Sequence, residues 1–171
     1  MGGMAGPYAA AAVLLAVGGV LKFRRPGPTA NALGGVGLPA SVGFVRIFGA
    51  IEVAVGVGAL TSGHPVFALL VGVSYVAFAA FVLLALARGG AISSCGCFGE
   101  PDTPATPVHV GLDLAAAAVA FAVAAGGGSD WRSFLGDQPL AGAPFIVLTA
   151  TCTYLAYVAL TVLPRTARSA T

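Results

Sequence analysis

Five apolar stretches run along the chain: Pro7–Leu21, Val42–Leu60, Val66–Ala87, Val108–Ala125 and Pro144–Leu163. Polar residues inside them do not alternate with apolar ones, so the period-two signature of a strand is missing. A bilayer crossing needs about 20 apolar residues, with about 17–25 the usual range. The second, third and fifth stretches meet that length. The first and fourth are shorter and are expected to draw on flanking small residues. In hydrocarbon each backbone amide must be satisfied inside the membrane-spanning structure, which leaves helices wherever no barrel closes. The pattern predicts an all-α, polytopic membrane helix bundle of about five transmembrane helices, with residues 1–171 a single integral-membrane domain.

The breaks between stretches are short except for two. Lys22-Phe23-Arg24-Arg25-Pro26 opens the first, and the run Ala30–Pro39 that follows can form a short interfacial helix. The second holds Ser94-Cys95-Gly96-Cys97-Phe98-Gly99 and continues Glu100-Pro101-Asp102-Thr103-Pro104-Ala105-Thr106-Pro107. Its prolines lack a donor N–H and restrict the residue before them, so this connection reads as stiff and non-helical.

Composition sharpens the membrane reading. The chain is 58% hydrophobic and only 8% charged, against about 25% charged in a soluble domain. A soluble fold of 171 residues leaves too much surface facing water to hide that apolar content. The net charge of +2 argues against nucleic acid. The 25 glycines have no collagen period and suit close helix approach in a bilayer. No basic stretch precedes the first segment and no clear small-residue cleavage site appears, so that segment is expected to be retained.

Charge also predicts an orientation in a cell (inner or plasma) membrane. With five crossings, Lys22, Arg24, Arg25, Arg88, Arg165 and Arg168 share one side, and Arg132 lies opposite. The positive-inside rule then puts the amino terminus outside and the carboxyl terminus in the cytoplasm, with the cysteine connection on the cytoplasmic side.

Cys95 and Cys97 are the leading candidates for chemistry. Alpha carbons two apart can come within the disulfide range of about 4.4–6.8 Å, and Gly96 tolerates the backbone angles such a ring demands. Strained, exposed disulfides are the labile and catalytic ones. Thiolates are the reactive form, so Arg88 and Lys22 are candidate activators. A static turn with two inert thiols is the bland alternative. A metal site is another, but only His109 stands near, and Glu100 and Asp102 would have to complete the set. Cys152, inside the fifth stretch, reads as a buried packing residue.

Arg46, Glu52 and Asp113 lie within apolar stretches, where ionisable groups are costly and turn towards the bundle interior. Arg46 and Asp113 share a depth, which predicts an ion pair beneath the cysteine connection. Glu52 sits deeper, with Gly49 and Gly56 on its helical face. That small face should pack on another helix, with Glu52 paired or protonated. Its role is open between a structural hydrogen bond and a proton- or quinone-linked one. His109 reads as a solvated interfacial histidine. His64-Pro65 and Trp131 read as structural.

Several of these features together resemble a known family. They are Leu21-Lys22-Phe23-Arg24-Arg25-Pro26 closing the first stretch, Arg46 and Glu52 with flanking glycines in the second, and Ser94-Cys95-Gly96-Cys97-Phe98-Gly99 after the third. The chain resembles the methylamine-utilisation protein MauE family, related to the DoxX-like membrane proteins. The resemblance covers most of the chain and implies a multi-spanning inner-membrane protein, with a DoxX-like four-helix core as one form of the bundle. It further implies a role in processing, transport or maturation of the disulfide-rich methylamine dehydrogenase light subunit, and so in methylamine metabolism.

Two functional classes stand side by side. One is a thiol–disulfide accessory factor for exported proteins, with oxidoreductase activity at Cys95 and Cys97 and with Arg46, Glu52, Asp113 and Lys22 in support. Its partners would be a thioredoxin-like or an exported disulfide-containing protein. The other is a non-redox scaffold or small-molecule carrier with Arg46, Glu52 and Asp113 along a path. No cofactor motif is evident. The chain has three cysteines and no second close pair, so a transmembrane relay would need an external thiol partner or a quinone.

Overall fold

The computed structural model describes residues 2–88, 106–126, 128, 135–137 and 142–161. These form helices α1 (Gly2–Arg24), α2 (Pro26–Gly35), α3 (Val42–Thr61), α4 (Pro65–Ala87), α5 (Pro107–Ala125) and α6 (Ala143–Thr161), with no strand among the described residues. The protein is an all-α polytopic membrane bundle. Four helices, α1, α3, α4 and α5, are long and apolar enough to cross a membrane. α6 is a fifth apolar helix of 19 residues.

Proline sets many of the boundaries. Pro26, Pro65 and Pro107 each open a helix, where the missing N–H would have had no intrahelical partner and the fixed φ is already helical. Ser41 caps α3, its side-chain oxygen accepting from the Phe44 amide at 3.1 Å. His64 does the same for α4, with Nδ1 accepting from the Val66 amide at 3.3 Å. The short helix expected over Ala30–Pro39 exists but starts earlier, because Pro26 begins it. It ends at a glycine stop: the Gly37 amide donates to the Gly34 carbonyl and the Leu38 amide to the Leu33 carbonyl, with Gly37 at φ 70°. That pattern is the Schellman closure, which needs a left-handed residue and favours glycine.

α1 touches every other helix of the bundle. It packs antiparallel on α3: Gly19 meets Gly49, and Ala12 and Ala16 meet Gly56. A Cβ on Gly49 would stand 2.7 Å from the Gly19 carbonyl oxygen, and one on Gly56 would stand 2.6 Å from that of Ala12. The two backbones approach as closely as they do because these positions carry no side chain. α4 and α5 form a second close pair. The common core joins Tyr8, Ala12 and Leu15 of α1 to Ala59, Val71 and Ala120, and the Tyr75 hydroxyl of α4 donates to the Ala11 carbonyl of α1 at 2.8 Å.

The contacts define two ends. At one lie the end of α1, α2, the start of α3, the end of α4 and the start of α5, where Arg88 donates to the Val36 carbonyl. At the other, Gly128 beyond α5 comes against Gly63 and against Pro65 at the start of α4, and Phe145 of α6 reaches Gly6 of α1.

Candidate functional site: a buried ion pair beside a lipid-facing cavity

Lys22 stands in the last turn of α1 and Glu52 at the middle of α3. The lysine Nζ donates to both carboxylate oxygens, at 2.7 and 2.8 Å. The two side chains are 4% and 2% exposed, so the bond is buried within the bundle. Phe78 of α4 and Phe48 of α3 cap the ammonium, their ring centroids 4.6 and 5.7 Å from Nζ. Those rings meet edge to face, and Tyr75 meets Phe78 in the same way. The ring faces supply negative potential on the sides that Glu52 leaves open. This is what a charged side chain needs at such a place: a full counter-charge at hydrogen-bond distance and no exposed remainder.

Beside the pair lies a cavity of about 430 Å³. α5 and α6 each lean on α1 and hardly touch one another, and the cavity fills the cleft between them. Its polar end is lined by Lys22, His109 and Asp113; its walls run along Gly18, Leu14, Ala10 and Gly6 of α1 towards Phe145 of α6. His109 is buried, its Nδ1 sharing a hydrogen bond with the Thr106 hydroxyl at 2.8 Å. Among the described residues no group of three or more His, Cys, Asp or Glu side chains converges as a metal site.

The placement of the candidate residues departs from the sequence reading in four ways. Arg46 and Asp113 are not paired: Arg46 is exposed on α3, and Asp113 lines the cavity from α5. Equal depth brought them together on paper, but α3 packs on α1, whereas α5 packs on α4. Lys22 is not part of a solvated cluster with Arg24 and Arg25. Those two are exposed and Lys22 is buried, because α1 stays helical to Arg24 and turns Lys22 onto the Gly19 face. His109 is buried, not solvated: Pro107 starts the helix, and the ring in its first turn bonds back to the Thr106 hydroxyl. Cys152 is exposed and lines the cavity, because α6 covers only one side of α1. The expectation for Glu52 holds: its glycine-flanked face packs on a neighbouring helix and the carboxylate is paired. Cys95, Cys97, Glu100, Asp102 and Trp131 lie outside the described residues. The ends of the cysteine connection, Arg88 and Thr106, are described, and both open at the Lys22 end of the bundle.

Fold and site thus define a multi-pass α-helical membrane protein with a buried Lys–Glu pair and, beside it, a cavity open towards lipid. The model of the family described as methylamine utilisation protein MauE matches residues 4–130, and the chain belongs to that family. The matched region holds α1 to α5; α6 follows it. Neither a curated protein nor a solved structure matches the chain.

Proposed function

We propose that the chain is a thiol–disulfide accessory factor serving maturation, processing or transport of exported proteins, with Cys95 and Cys97 as the cycling pair. The observation that carries this reading is placement. The connection bearing the two cysteines leaves α4 at Arg88 and re-enters at Thr106, at the bundle end where His109, Asp113 and Lys22 form the polar end of the cavity. Membership of the methylamine-utilisation family supports it, since the resemblance ties that family to a disulfide-rich light subunit.

The step is a thiol–disulfide exchange. A partner thiolate attacks one sulfur of the Cys95–Cys97 disulfide and the other leaves as thiolate; the second partner thiol then resolves the mixed disulfide. The partner loses two electrons and two protons, and the pair ends as the dithiol. Lys22 is held by Glu52 and does not serve as a thiol activator; its task is to fix α1 against α3.

Alkylation trapping in cells tests the proposal. Cys95 and Cys97 should shift together between reduced and oxidised forms, and Cys97→Ser should accumulate a mixed disulfide with a partner. Two unreactive thiols, with full function in both single Cys→Ser variants, would sink it. A carrier reading predicts the reverse: a harmless Cys95→Ser/Cys97→Ser double variant and loss of function on narrowing the cavity.

A further inference from the structure

The geometry points to the α1–α5–α6 cavity as a specific site for one acyl chain of an anionic phospholipid, with the lipid's phosphate at Arg24 and Arg25 where α1 ends. Dimensions choose the chain. The positions that line the cavity on α1 run from Gly6 to Lys22, about 24 Å at 1.5 Å per residue. The volume of about 430 Å³ spread over that length leaves a mean cross-section of about 18 Å². Apolar neighbours pack within about 4.0–4.5 Å of one another, so a bore of about 16–20 Å² admits a polymethylene chain one carbon wide. A helix of the same length, about 10 Å across, would need about 1,900 Å³, which rules out a partner's transmembrane helix. One leaflet of hydrocarbon is about 15 Å deep, so a tail reaching in from the interface fits without folding back. The entrance is lateral: Leu112 on α5 and Leu148 and Cys152 on α6 line the cavity and are exposed, and a chain enters from the bilayer without crossing water.

Charge complementarity chooses the head group. Gly18 and Lys22 line the cavity from α1, and helical spacing puts Arg25 on the same stripe one turn further on. The helix still holds there, since the Arg25 amide donates to the Leu21 carbonyl at 2.7 Å. Arg24 precedes it, and both arginines are exposed. Lys22, His109 and Asp113 need nothing from a ligand. Lys22 is bonded to Glu52, His109 to the Thr106 hydroxyl, and Asp113 has an interaction of its own. They close that end of the cavity, and the head group stays outside it, at the interface. Basic residues at the membrane surface favour anionic over zwitterionic lipid, and a tail seated in the cavity turns that general attraction into a site. The site goes beyond the thiol reading above and does not rest on it.

Photolabelling tests the site. Full-length protein in phosphatidylcholine nanodiscs receives phosphatidylglycerol carrying a diazirine in one acyl chain, and the labelled peptides are mapped after illumination. Label should concentrate on the cavity-facing parts of α1, α5 and α6, several-fold above that from phosphatidylcholine with the same tail. The double variant Arg24→Gln/Arg25→Gln should cut the phosphatidylglycerol label on the order of tenfold, and Ala116→Phe, which fills the cavity from α5, should remove it. Unlabelled phosphatidylglycerol should compete, and glycerophosphate, a head group without a tail, should not. Equal labelling by the two lipids, competition by glycerophosphate, label spread over the exposed Ile47, Ile51 and Val73, or an unchanged label in the arginine variant would each overturn the proposal. The arginine variant alters exposed positions only, so it decides the question even if Ala116→Phe fails to fold.

Discussion

At the scale of single residues, Lys22 and Glu52 carry the strongest electrostatic commitment in the molecule. Removing one partner strands the other charge among Phe48, Phe78 and the α1–α3 backbones. Each of Lys22→Met and Glu52→Leu should cost about 3–5 kcal/mol. The double variant should recover much of this, leaving a coupling on the order of 3 kcal/mol. Unfolding in mixed micelles by SDS titration measures it, and simple additivity of the two losses would show that the bond contributes nothing. Arg46→Ala and Asp113→Asn make the contrasting case, since no ion pair joins them. Their effects should add within about 0.3–0.5 kcal/mol in the same assay. Half of the central pair was legible beforehand: Gly49 and Gly56 around Glu52 announced a packed, polar helix face. Lys22 was masked by its neighbours, because Leu21-Lys22-Phe23-Arg24-Arg25 reads linearly as a basic interfacial run. Helical spacing separates it from them: Ala12, Leu15, Gly19 and Lys22 lie on one stripe, and that stripe faces α3.

At the scale of helices, the α1–α3 contact is set by absence of side chains and not by apolar bulk. Lipid offers Leu or Val no less than a neighbouring helix does, so close backbone approach has to supply the preference. Gly49→Val places its Cβ against the Gly19 carbonyl, and the backbone there cannot retreat without pulling Lys22 from Glu52. A loss of about 1–3 kcal/mol is expected from overpacking, with a larger loss if the ion pair opens as well. Gly111 on α5 is the internal control, since a Cβ there meets nothing within 4 Å. Gly111→Ala should stabilise by up to about 1 kcal/mol. Thermal unfolding in detergent separates the two, and equal behaviour would refute packing as the cause. The helices themselves were readable from apolar length and from proline at their first positions. α2 was read late and the α5–α6 cleft not at all, because lateral packing partners leave no local pattern in a sequence.

At the scale of the whole molecule, the question is which side of the membrane each end faces. Arg24, Arg25 and Arg88 gather at the Lys22 end of the bundle, and the opposite end carries His64-Pro65 and the turn at Gly128. Positive charge flanking a span is retained in the cytoplasm, so the Lys22 end, and with it both ends of the cysteine connection, should face inward. Gly27, at the start of α2, and Gly136, ahead of α6, both have open space around their alpha carbons, which makes them harmless places for a reporter thiol. In a background without native cysteines, Gly27→Cys should resist a membrane-impermeant maleimide in intact cells and react after lysis, whereas Gly136→Cys should react in both. This pattern would make a thioredoxin-like cytoplasmic protein the thiol partner of Cys95 and Cys97. The reverse pattern would put the connection on the export side, where the pair meets exported dithiols directly, and would show that three arginines at one end do not decide the topology. Reaction of both reporters from outside would mean that one of α3, α4 and α5, the three long helices between Gly27 and Gly136, does not cross, and the four-helix crossing pattern would then be withdrawn.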